Sequence, residues 1–123
     1  MPPRRTPADE PVESLEERWL LEAQTARNLE AMSAEQAGNI DAAIQLYELN
    51  VAEGFPADLP YGRLVAIYER RQAFGDAERV LRRAIAVFET STRRTPQDRR
   101  TLVRTFRKRL SLLLARRERK TGD

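Results

Sequence analysis

The residue types behind most enzyme chemistry are missing from this chain, whose 123 residues include no Cys and no His. That removes thiol nucleophiles, disulfides, the usual general base and the usual transition-metal ligand. Carboxylates and guanidinium groups remain. Paired carboxylates could exchange protons with a substrate, and the spacing offers Glu16 with Glu17 or Glu69 with Asp76. Adjacent residues of a helix point apart, however, and the second pair straddles an exposed turn. The five glycines are isolated, so no glycine-rich loop cradles a phosphate. The residues predict a protein that is not an enzyme and needs neither cofactor nor metal.

Binding chemistry is concentrated near the C-terminus. From Arg93 to Lys120 twelve basic side chains stand against Asp98 and Glu118 alone. Such a field suits an acidic protein surface, nucleic-acid phosphates or anionic lipid, with Arg100, Arg104, Arg107 and Lys108 as the candidate contacts. A solvated outer face of a terminal helix is the competing reading. Phe106 is the only aromatic residue in this stretch and falls on its apolar side, so no base-stacking platform accompanies the charges and any nucleic-acid contact would be to the backbone.

The elements that must position these residues read as helices throughout. Ser14 and Glu17 form a capping box that opens a helix running to about Ala37, before Gly38. A second helix covers about Ile40 to Glu53 and stops at Gly54. Asp58 is placed to cap a third, about Leu59 to Gln72. Gly75 and Asp76 open a fourth, to about Glu89, and Thr95, Pro96 and Asp98 start a fifth that reaches about Arg119. Its apolar side carries Leu102, Val103, Phe106, Leu110, Leu113 and Leu114.

Two of these helices repeat each other. Sliding GDAERVLRRAIAVF back by 34 residues lays it on AAIQLYELNVAEG, with Ala77 on Ala43 and Leu81 on Tyr47. Ahead of Ala77, the segment YGRLVAIY puts Tyr61, Leu64, Val65 and Tyr68 on one helical face, and small Ala77 lets the covering helix approach closely. With these residues the chain resembles the tetratricopeptide repeat family. The match is strong over residues 58–91 and over 40–53, and weak over the preceding helix, where the large apolar positions fall on Arg27, Glu30, Ala31 and Ala34. Leu15, Trp19, Ala26, Leu29 and Met32 are the residues available to bury that helix instead.

The resemblance implies an all-α fold of about five helices, with antiparallel hairpins at about 24–57 and 58–91 and a capping helix at about 96–119. It implies a protein-binding scaffold or adaptor in which the first helix of each hairpin lines a groove. Carried onto this sequence, the groove positions include Asn28 and Met32 in the weaker repeat and Arg63, Ala66 and Arg70 in the stronger one.

Size and charge add further expectations. The chain is long enough for one modest core. Residues 1–13, rich in Pro and charge, read as a disordered arm ahead of a helical domain at 14–120 and a tail at 121–123, with no apolar run resembling a signal sequence or a membrane span. A cytoplasmic protein is expected. Residues 1–60 hold 4 basic and 12 acidic side chains and residues 61–123 hold 18 and 7, giving halves of −8 and +11. Two repeats make a short array, and halves of opposite charge predict that two copies associate.

Overall fold

The computed structural model describes residues 14–121; the arm read at 1–13 and the last two residues lie outside them. Five helices follow one another, α1 (Leu15–Gln36), α2 (Ile40–Ala52), α3 (Leu59–Arg70), α4 (Phe74–Thr90) and α5 (Pro96–Thr121), with no strand among the described residues. The fold is all-α and built from helical hairpins.

The starts follow local chemistry. Glu17 N–H donates to Ser14 Oγ at 3.0 Å and Ser14 N–H to the Glu17 carboxylate at 3.2 Å, completing the capping box. Thr95 Oγ1 accepts from Asp98 N–H at 3.1 Å at the head of α5. Asp58 occupies the N-cap of α3 but makes no side-chain cap bond, because its own backbone is already right-handed helical. α4 begins at Phe74, slightly ahead of the expected Gly75.

The ends repeat. At the α1–α2 turn Gly38 N–H donates to Glu35 O and Asn39 N–H to Ala34 O; at the α3–α4 turn Gln72 N–H donates to Glu69 O and Ala73 N–H to Tyr68 O. Every donor and acceptor is displaced by the same 34 positions as the sequence repeat. Both turns close the preceding helix through a residue of positive φ, Gly38 at 84° and Gln72 at 59°.

The core forms where the repeated residues meet. Ala43, Tyr47, Ala77 and Leu81 are fully buried, as are Tyr61, Leu64, Val65, Val80, Ala84 and Phe88. Tyr61 of α3 meets Phe88 of α4 edge-on at 5.5 Å and Phe106 of α5 at 6.3 Å, and Phe88 stacks on Phe106 at 5.7 Å. Three helices are thereby joined through one ring cluster. α5 packs against α4 through Val103, Phe106 and Leu113, while Leu114, expected on that side, lies at the edge and is 36% exposed.

α1 departs from expectation. Leu15, Trp19 and Leu29 are 61–62% exposed and Met32 is 36% exposed, while Gln24, Asn28 and Ala31 face α2. Asn50 Nδ2 donates to Asn28 Oδ1 at 2.7 Å and to Gln24 O at 2.9 Å, and Arg27 donates to Asn50 Oδ1 at 2.7 Å and to Glu53 at 2.6 Å. Gln24 completes the set by donating to the same Glu53 carboxylate. A closed polar network therefore replaces the apolar anchors, and among the described residues no buried side-chain N or O lacks a partner.

Candidate interaction surfaces

The hairpin connections leave α1, α3 and α5 side by side on one face. Arg63 of α3 grips Glu35 of α1 with Nη2 at 2.5 Å and Nε at 3.1 Å, and Arg116 of α5 reaches Glu69 of α3 at 3.1 Å. Tyr47 of α2 donates to the same Glu35 carboxylate at 2.6 Å. The Arg63 hydrogen bonds hold the Glu35 carboxyl below its ordinary value despite partial burial, which pulls the other way. Gly62 gives α5 room on this face, since a Cβ there would stand 3.3 Å from the Arg109 guanidinium, which in turn lies 5.9 Å from the Phe106 ring centroid.

Shallow cavities run along the face. One of about 290 Å³ is lined by Met32, Glu35, Gln36, Leu59 and Arg63; another of about 330 Å³ by Glu69, Arg109, Leu112, Leu113 and Arg116. A tighter one of about 150 Å³ includes Ile40, Ala66 and Arg70. Met32 and Leu112 are exposed beside them and Leu59 is half-buried.

Of the expected groove residues, Met32, Ala66 and Arg70 line these cavities. Asn28 does not: it is 7% exposed and spent on Asn50. Its position in α1 turns it toward α2, where the network needs an acceptor. Arg63 lies on the face, yet its guanidinium is already engaged by Glu35.

On α5, Arg107 donates to Glu89 of α4 at 2.5 Å. Arg100, Arg104 and Lys108 are exposed, and among the described residues none has an ion pair or hydrogen bond. A cavity of about 480 Å³ between the ends of α4 and α5 is lined by Arg99, Arg100, Arg104 and Arg107 with Glu89. The other arginines of the basic run mostly serve the fold: Arg94 donates to Pro56 O, Arg99 to Ser91 O and Arg117 to Glu78.

The division of charge between the halves is also partly internal. Glu17, Glu35, Asp41 and Glu48 of the acidic half pair with Arg93, Arg63, Arg71 and Arg79 of the basic half. Pairs of this exposure contribute about 0–1 kcal/mol each, so they orient neighbouring helices more than they stabilise them.

The overhanging first turns of α1 stand across a cleft of about 630 Å³ from the end of α4, lined by Leu20, Leu21, Pro56, Arg83 and Val87 among others and bridged by Glu17 and Arg93 at 3.4 Å. The extra length of α1 is legible, but its distance from α4 is a tertiary quantity. Among the described residues no group of three or more acidic side chains gathers as a metal site, and no helix is long and apolar enough to cross a membrane. Comparison of the chain with protein-family models, with curated proteins and with solved structures gives no match.

Proposed function

We propose that this chain is a non-enzymatic interaction module of tetratricopeptide-like construction, a cytoplasmic scaffold or adaptor whose α1–α3–α5 face takes up a segment of another protein. The observation that carries the reading is the set of apolar groups on that face, exposed Met32 and Leu112 with half-buried Leu59, beside cavities edged by Arg63, Arg70 and Arg116. Apolar groups held next to charges on neighbouring helices supply both the burial and the polar fixing points that peptide recognition uses. The duplicated turns at Gly38 and Gln72 support the repeat construction.

A test is affinity capture with nuclease present, comparing the unaltered chain with Ala66→Arg, which blocks the centre of the face, and with Met32→Glu. Both should lose the captured polypeptide while keeping native circular dichroism. Undiminished capture by both variants overturns the assignment of this face.

A second reading, a polyanion held on α5, is favoured by one observation: among the described residues Arg100, Arg104 and Lys108 have no acidic partner. Binding of duplex DNA or RNA with an affinity falling steeply with salt would support it.

A further inference from the structure

Once the internal ion pairs are set aside, the charges left without a partner among the described residues are divided unevenly between α1 and α5. On α1 they are the carboxylates Glu16, Glu22 and Glu30 with the cation Arg18, all exposed; on α5 they include the cations Arg100, Arg104, Lys108 and Arg119 with the carboxylate Asp98, also exposed. The carboxylates span fourteen residues of helix, roughly 21 Å, and the cations from Arg100 to Arg119 span nineteen, roughly 28 Å.

The same side of α1 carries an apolar stripe. Leu15, Trp19, Ala26 and Leu29 recur at intervals that keep them on one face, opposite the side packed on α2, with Glu22 in the middle of the stripe. An indole and two leucines more than three-fifths exposed on one helix face form a surface that solvent alone covers poorly. α5 answers it with its unpaired cations, and guanidinium groups stack on indole faces.

We propose that α1 of one copy docks on the outward side of α5 of a second copy, and reciprocally, closing a twofold dimer. Charge complementarity selects this partner. Pairing α1 with α1 would bring Glu22 of the two seams together, and pairing α5 with α5 would oppose Arg104 and Lys108 to one another; the crossed arrangement sets the carboxylate excess of α1 against the cation excess of α5 at both contacts. The contact does not rest on the groove reading, and it competes with the polyanion reading for the same cations.

The experiment is sedimentation of the full chain over a concentration series at low and high salt, with Trp19, the single tryptophan, as a fluorescent reporter. Dimer should form at low salt with a blue shift of the Trp19 emission. Raising the salt, or making Glu22→Lys with Glu30→Lys, or making Arg104→Glu with Lys108→Glu, should raise Kd at least about tenfold. An equimolar mixture of the two double variants should restore dimer, because every α1–α5 contact is again complementary; misfolded variants could not regain it. Ala66→Arg should leave the dimer intact, which separates this contact from the groove. A strict monomer at all concentrations overturns the proposal, as does a mixture that fails to associate or a dimer with unshifted Trp19. Monomeric chain that instead binds duplex DNA through Arg104 and Lys108 overturns it in favour of the polyanion.

Discussion

Gly38 and Gln72 hold the same place in two different turns, 34 residues apart, with φ of 84° and 59°. Each lies just past the first helix of a hairpin, and the same pair of backbone hydrogen bonds closes both turns. One position is filled by the residue that adopts this conformation freely and the other by a residue that pays for it in strain.

Gln72→Gly should therefore stabilise the fold by up to about 1 kcal/mol, the relieved strain being partly offset by the greater freedom of glycine in the unfolded chain. Gly38→Ala should destabilise by about 1–2 kcal/mol through the backbone alone, since no atom lies within 4 Å of the added Cβ. Thermal melts of the two variants should move in opposite directions.

Asn50 is fully buried and serves Asn28, Gln24 and Arg27 together. Asn50→Leu should cost about 1–3 kcal/mol by stranding those groups, and Asn28→Leu added to it should recover part of the loss. Urea unfolding measures both, and a neutral Asn50→Leu would mean that the network contributes nothing to holding α1.

Ala77 has no exposed surface where α4 meets α3. Ala77→Leu should overpack this contact and cost about 1–3 kcal/mol. Tyr68→Ala, which removes a buried ring and its hydrogen bond to Glu48 at 2.8 Å, should cost about 3–5 kcal/mol by analogy with Phe. An unchanged melting temperature for either variant would contradict the packing.

Stability should fall at both ends of the pH range for different reasons. The Glu35 carboxyl is lowered, chiefly by Arg63, so its contribution is present above the ordinary carboxylate value of about 4.3 and lost as pH falls through the lower folded value. Tyr68 is pushed up to about 12, first by burial and then by its bond to Glu48, so its contribution is present below its ordinary value of 10.0 and lost as pH rises through about 12. Glu35→Gln should flatten the acid limb of a stability profile and Tyr68→Phe the alkaline limb.

Reversing Arg104, Arg107 and Lys108 to Glu should leave circular dichroism unchanged and stability within about 1 kcal/mol, because among the described residues only Arg107 of the three has an ion pair and that pair is exposed. Partner capture that survives this change would place the partner on the α1–α3–α5 face, and salt-dependent loss would place it on α5.

Helix number, most helix ends and much of the core were legible in the sequence because they follow from local chemistry. Ser14 with Glu17 and Thr95 with Asp98 are three residues apart, and the pattern that buries Ala43, Tyr47, Ala77 and Leu81 repeats within single helices. Residue type misled on α1, where Trp19, Leu15 and Leu29 are exposed and Asn28 is buried. Helical periodicity says which residues share a face; it does not say which face another helix covers. The charges obeyed the same limit. Whether Arg63, Arg93 or Arg107 is available to a partner depends on Glu35, Glu17 and Glu89, which lie 28, 76 and 18 positions away and meet them only when the hairpins pack.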